Sequence, residues 1–285
     1  MNTQDTSRPL AGRTILMSGG SRGIGLAIAV RAARDGANIV LLAKTDKPDP
    51  RLPGTVHTAV ADIEGAGGSG HAVVGDVRQE EDVARAVEQA VATFGGIDIV
   101  VNNASAINLA PLGKLSLKRY DLMLDINARG TFALTSAALP HLHNSDNPHV
   151  LTLSPPLNPD PVWLHRHAPY TISKYAMSML TLGLAGQDHP RPLAANCLWP
   201  RTTIATAAVQ NIVGGDAAMA VSRRPEIMAD AAHAILKRKA GDCTGNCFID
   251  DDVLRAEGVT DFGAYRYGAA ETDLKPDLFL PGGEL

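Results

Sequence analysis

The chain has 285 residues and a formal net charge of -4, with 45% hydrophobic and 20% charged residues. That balance supplies enough apolar material for a substantial core and excludes an extensively disordered chain, and slight acidity leaves no basic face for nucleic acid. The first fifteen residues lack a charged segment followed by an apolar one, and no run reaches the roughly eighteen apolar residues of a membrane span, so a soluble cytoplasmic protein is expected.

Short apolar runs alternate with segments of helical period along the whole chain, the pattern of a parallel sheet covered by helices. Strands are expected over 14–18, 38–43, 71–75, 97–102, 149–154, 194–198 and 246–250, with helices starting near Ile24, Val56, Glu80, Ser116, Tyr170, Thr203 and Pro225. The clearest helix covers 80–94, where Val83, Val87, Ala90, Val91 and Phe94 form one stripe. The expected fold is α/β: a single Rossmann-type domain over 10–257, built on a doubly wound, seven-stranded parallel sheet. Residues 1–9 would be a flexible N-terminus, and 258–285 an irregular tail packed on a neighbouring subunit. Segments 44–55 and 155–169 are too long for tight turns and read as loops. Right-handed crossovers place every strand's C-terminal end on one rim, where ligands should bind.

The first strand runs into "SGGSRGIGLAIAVRAARDGA", with Gly19, Gly23 and Gly25 ahead of a helix. Glycines there allow a tight turn and let backbone amides approach a pyrophosphate at the helix N-terminus. The spacing is G-x-x-x-G-x-G. Together with "NNAS" at 102–105, Asn127 and the Tyr170-x-x-x-Lys174 pair, it resembles the short-chain dehydrogenase/reductase family over about residues 10–252. The stretches "LLAKT", "LSPPLNPDPVW", "YTISKYAMSM" and "LWPRT" look more closely like its hydroxysteroid dehydrogenase-like branch. Longer members of that branch carry a sterol-carrier domain, which is not expected here.

At the end of the second strand, NAD enzymes place a carboxylate against the adenosine ribose. Here Ala43 and Lys44 stand there. An ammonium would attract a 2'-phosphate, with Arg22 as a second cation, so NADP(H) is favoured over NAD(H); alternatively Lys44 is only solvated and Asp46 reaches the ribose. The resemblance implies that Asp76, beside Val77, touches the adenine ring and that Asn102 and Asn103 brace the sheet and line the cofactor cleft, although both could equally be turn residues. Ser105 stands where a glycine is more usual. The expected cofactor residues are Gly19, Ser21, Arg22, Gly23, Ile24, Gly25, Lys44, Asp76, Val77, Asn103, Ala104, Tyr170, Lys174, Pro200 and Thr202.

Tyr170 and Lys174 lie one turn apart on a helix face. A phenol with a pKa of about 10 is a poor base at neutral pH, but a nearby ammonium and a positive nicotinamide ring favour the phenolate. Tyr170 can then exchange a proton with the oxygen of a carbonyl/alcohol pair. The resemblance implies that Lys174 also holds the nicotinamide ribose and that Asn127 helps hold a water between the lysine and solvent; otherwise Asn127 is a surface asparagine.

The family serine ends the fifth strand, but Pro155 falls at that position. Ser154 faces the other way unless Pro155 and Pro156 twist the chain; it is kept as the fourth catalytic candidate, with Asn158 as another donor. Trp163, His165 and His167 are expected to line or cover the substrate cleft rather than bind metal, lacking a third ligand at helical spacing. Arg201 replaces a usual glycine and either meets a phosphate or acidic group or is a solvated loop cation. Thr202, Thr203 and Thr206 are candidate cofactor contacts, and the helix after them would close over substrate. Of the three cysteines, Cys243 and Cys247 would stand roughly 13 Å apart in an extended strand, too far for a disulfide or shared metal.

The function expected is an NADP(H)-dependent oxidoreductase interconverting a carbonyl and an alcohol on a small-molecule or lipid-like substrate. The alternative is a nicotinamide-cofactor-binding sensor or scaffold with weak or lost catalysis. The resemblance implies a homodimer or homotetramer.

Overall fold

The computed structural model describes residues 8–49 and 52–283. The rest, including most of the expected flexible N-terminus, lie outside the described residues. Among the described residues the strands are β1 (Thr14–Ser18), β2 (Asn38–Ala43), β3 (Ser69–Val74), β4 (Ile99–Asn102), β5 (His149–Thr152), β6 (Ala194–Trp199) and β7 (Cys247–Ile249). The helices are α1 (Gly23–Ala33), α2 (Val56–Gly65), α3 (Glu80–Phe94), α4 (Leu117–Leu124), α5 (Gly130–Leu142), α6 (Pro161–Ala185), α7 (Gly215–Ala220), α8 (Glu226–Leu236) and α9 (Asp250–Ala256). The strands form one seven-stranded parallel sheet in the order β3-β2-β1-β4-β5-β6-β7. The order reverses between β1 and β4, which opens a crevice at their C-terminal ends.

Alternation along the strands feeds two core layers. Ile15 and Met17 pack with Ile28 of α1 and Ile235 of α8, whereas Leu16 packs with Val83 of α3 and Leu134 of α5. Each fully buried aliphatic side chain contributes about 1.5–3 kcal/mol. Helix α3 keeps the expected stripe, with Glu80, Glu81 and Asp82 in its first turn and Gly95 at φ +86° ending it. Among the described residues no helix is long and apolar enough to cross a membrane.

Three expectations change. Helix α6 begins at Pro161, inside the segment read as a loop. Pro161 suits a first helical position, and the Asp160 carboxylate accepts from the Val162 amide at 3.0 Å as a cap. The helix then breaks at His167 (φ -135°, ψ 34°) just ahead of Pro169, so Tyr170 falls in the first turn after the break. Second, the helix expected from Thr203 is irregular chain there: Thr202 bridges to Pro276 and Ile204 to Arg223, and a π-helical turn over Val209–Gly214 leads into α7. Third, the tail folds over its own chain, burying Leu274, Leu278, Phe279 and Leu280. All three cysteines are free; Cys243 is in the core, and Cys197 faces Cys247 across β6 and β7.

Candidate active site

The glycine loop links β1 to α1 at the crevice. Gly19 has φ +74°, and a Cβ there would come within 2.8 Å of the Ala104 Cα; one at Gly25 would lie 2.4 Å from the Asn103 Nδ2. The close approach is used: Asn103 Nδ2 donates to the carbonyls of Gly19 (2.7 Å) and Ser18 (3.2 Å), tying the end of β4 to the end of β1. Asn102 is buried behind it, donating to Thr135 Oγ1 at 2.9 Å. Helix α1 opens without a side-chain cap and without an acidic residue in its first turn, which leaves its amides for an anion. A groove of about 580 Å³ runs over this loop, lined also by Lys44, Asp76, Val77, Asn103 and Ala104.

At the outer end of the groove, the largely exposed Lys44 Nζ lies 3.4 Å from Asp76 Oδ2. Arg78 grips both Asp76 oxygens, at 2.6 Å from Nη2 and 3.0–3.1 Å from Nε. Burial alone would raise the Asp76 carboxyl, but the Arg78 hydrogen bonds and the nearby cations hold it down at about 2. Asp46 is bound to His57 Nε2 at 2.8 Å. Arg22 donates to the carbonyls of Pro53 (3.0 Å) and Gly54 (2.8 Å), and burial lowers its pKa.

The inner end of the groove meets a second cavity of about 180 Å³, lined by Tyr170, Lys174 and Pro200, with Asn103, Ser105 and Thr206 at the boundary of the two. Tyr170 is 4% exposed and Lys174 2%. Lys174 Nζ donates to the Leu153 carbonyl at 2.6 Å and lies 5.1 Å from the Trp199 ring centroid. Asn127 is fully buried, so the surface reading fails: a π-helical turn over Asp125–Arg129 carries it. Its Oδ1 accepts from the Ala106 amide at 2.7 Å, and its Nδ2 donates to the Ala106 carbonyl (3.0 Å) and Ser173 Oγ (2.9 Å). Burial pushes the Lys174 ammonium down to about 7, against the pull of Asp277 and Cys197. Burial, reinforced by Asp277, pushes the Tyr170 phenol up, away from the expected phenolate.

A family model for short chain dehydrogenase matches residues 13–216. The chain belongs to the short chain dehydrogenase family. Members of this family are oxidoreductases. The chain is 51% identical to hydroxysteroid dehydrogenase-like protein 2 of Danio rerio over 279 residues, covering 98% of this chain and 66% of that protein. It is 47% identical to the Homo sapiens protein of the same name, covering 95% of this chain and 64% of that protein. The chain thus spans about two thirds of the length of these curated relatives. A crystal structure of a short chain dehydrogenase from Mycobacterium thermoresistibile matches with TM-score 0.89 and 52% identity, covering 95% of this chain and 96% of that one.

Against the family pattern, Ser154 is not brought to Tyr170. Strand parity puts Leu153 on the cavity side, while Ser154 is fully buried beside the Cys197 thiol. The prolines after it do not reverse this. Asn158 spends its amide on the Phe279 carbonyl at 2.9 Å. Arg201 pairs with acidic groups of its own chain, Asp251 at 2.8 Å and Asp252 at 2.6 Å. Thr202, engaged with the tail, lines neither cavity, whereas Thr203 lines the inner one and shares a hydrogen bond with Ser222 Oγ at 2.8 Å. His165 is exposed, and His167 Nδ1 bonds the Leu109 carbonyl at 2.7 Å.

The tail is the part that sequence reading missed. The Phe279 ring packs against Tyr175, Trp163, Trp199 and Tyr170, with centroids 5.2, 5.5, 5.8 and 6.1 Å away. Trp199 Nε1 donates to the Leu278 carbonyl at 2.9 Å, and the Asp277 amide donates to the Arg201 carbonyl at 2.9 Å. The available signal was the apolar run Leu278-Phe279-Leu280 inside an otherwise polar tail.

Proposed function

We propose that the chain is an NADP(H)-dependent oxidoreductase that interconverts a carbonyl and an alcohol on a small or lipid-like substrate, with Tyr170 as the acid/base. The observation that carries this reading is the convergence of Tyr170, Lys174 and the Gly19–Gly25 loop on one continuous cleft. The loop fits a dinucleotide: its glycines leave room for a pyrophosphate, and the first amides of α1 have no side-chain cap. When bound, the nicotinamide supplies or accepts the hydride. Lys44 at the end of β2, with Asp46 held by His57, favours a 2'-phosphate there.

Tyr170 would hand a proton to the substrate oxygen as a carbonyl is reduced and take it back in the reverse direction. Asn127 positions the helix that carries the pair by bonding both Ala106 and Ser173. Exposed Phe132 on α5 and Ile172, Met179 and Leu180 on α6 support assembly into a homodimer or homotetramer. The withdrawal of Ser154 favours a second reading, a cofactor-binding sensor or scaffold with weak or lost catalysis.

Tyr170→Phe is expected to lower NADPH-dependent reduction across a panel of ketones and aldehydes by about 10²–10⁴-fold, with NADPH affinity nearly unchanged. Unchanged turnover would remove Tyr170 from the chemistry. Tight NADPH binding with no wild-type turnover on any member of the panel would favour the sensor reading.

A further inference from the structure

With Ser154 turned toward Cys197, the strand-end hydroxyl that a substrate oxygen would meet is missing from the inner cavity. The tail brings another group to that wall. Asp277 lines the cavity together with Tyr170 and Lys174, and it is the one carboxyl among the described residues lining it. Its placement is tightly determined. The Thr203 amide donates to the Lys275 carbonyl at 3.0 Å, the Asp277 amide to Arg201 at 2.9 Å, and Trp199 to the Leu278 carbonyl at 2.9 Å. Phe279 then inserts among four aromatic rings. It does so at φ +71°, the one left-handed non-glycine backbone among the described residues. Such a conformation persists only where its surroundings enforce it, and it concentrates at functional sites. The Leu278 amide donates to Asp277 Oδ1 at 2.7 Å, which fixes the side chain in the cavity lining.

We propose that Asp277 is a further catalytic residue of this cleft: its carboxyl hydrogen-bonds the substrate oxygen beside Tyr170, in place of the hydroxyl that Ser154 does not supply. The inference rests on the oxidoreductase reading above. Burial pushes the Asp277 carboxyl up to about 7, against the Leu278 amide and the Lys174 charge. A protonated carboxyl can donate to a carbonyl oxygen, which a carboxylate cannot. The titratable groups facing it are Tyr170 and Lys174 of α6; Arg201, on the chain it pairs with, is turned into Asp251 and Asp252.

The test uses the full chain with NADPH and acetophenone carrying a 13C carbonyl. Bound to the wild type, the probe's carbonyl stretch should fall to lower frequency than in an apolar solvent. Asp277→Ala should reverse part of that fall and cut turnover by about 10²-fold, as the loss of one oxyanion donor does. Asp277→Asn keeps a donor, so it should preserve the fall and most of the turnover while removing one ionisation near pH 7 from the rate profile. Exchange at the Thr203 amide reports whether the tail stays docked in each variant, and if Asp277→Ala releases it, Asp277→Asn decides. A stretch and turnover unaltered by Asp277→Ala, an asparagine variant as impaired as the alanine one with its tail docked, or a probe that does not bind the wild type would each overturn the inference. Tyr170→Phe separates it from the reading beneath. If only Asp277→Ala is silent, the tail carboxyl falls and the acid/base stands; if only Tyr170→Phe is silent, the reverse holds.

Discussion

Phe279→Ala isolates what the tail contributes. The ring is 1% exposed and touches four other rings, so truncation leaves a cavity that the surrounding aromatics cannot close without leaving their own packing. Phenylalanine-to-alanine changes in such places cost about 3–5 kcal/mol. The left-handed backbone at φ +71° stays strained with alanine and relaxes with glycine, so Phe279→Gly should recover about 1 kcal/mol of that loss. The loss should be local, because the tail reaches the sheet through loop hydrogen bonds and not as a strand of it. At 1.4 kcal/mol per decade, 3 kcal/mol raises the open population by roughly 10²-fold. Hydrogen exchange reads this directly at the Thr203, Lys275 and Asp277 amides, which bond Lys275, Val221 and Arg201 carbonyls. Protection there should fall about a hundredfold, while Val100 and Val150 in the sheet keep theirs. Protection within about threefold of wild type at Asp277 would refute the ring as the anchor. Equal loss at Val100 would show that tail and sheet open together.

Two further outcomes are expected. The Asp76 carboxyl is depressed from 3.8 to about 2, which amounts to about 2 kcal/mol of stability, fully present above pH 4 and lost as pH falls toward 2. Arg78→Met should therefore be less stable than wild type at pH 6 and converge on it near pH 2 in urea unfolding, and a gap independent of pH would contradict the pairing. Lys44→Ala should weaken NADPH binding about tenfold or more in calorimetric titration, from the loss of a charge-assisted contact, and leave NADH binding unchanged. Equal weakening of both would remove Lys44 from phosphate recognition.

What was legible in the chain was what short-range patterns encode. The strands all appear within two residues of their expected ends, and the crevice falls where the glycine loop and Asn103 suggested. Ser154 could be read as facing away because side-chain parity along a strand is local information. Helix α6 was misread because three prolines hid a good start signal, Asp160 ahead of Pro161, behind an expectation of irregular chain. The partners of Arg201 could not be read at all. Asp251 lies 50 positions away and reaches it because β6 and β7 are neighbours, so α9 begins beside the loop that follows β6. The tail is similar: the run from Leu278 to Leu280 signals that something will be buried, but which surface receives it depends on Trp163, Trp199 and Tyr175 having already been brought together by other elements.

Docking of the tail also decides the electrostatics of the pair it covers. Tyr170 and Lys174 sit on a helix face that would be open to water if Phe279 and Leu278 were lifted away, and a hydrated phenol and ammonium would return toward their ordinary pKa values. With the tail down, burial raises the phenol and lowers the ammonium to about 7, so both lean to the uncharged form. The same segment puts Asp277 into the lining of the inner cavity, about 180 Å³ in volume, together with Tyr170 and Lys174. An aromatic anchor that costs backbone strain is understandable in that light: it holds one segment where it buries the pair and lines the same cavity with a carboxyl.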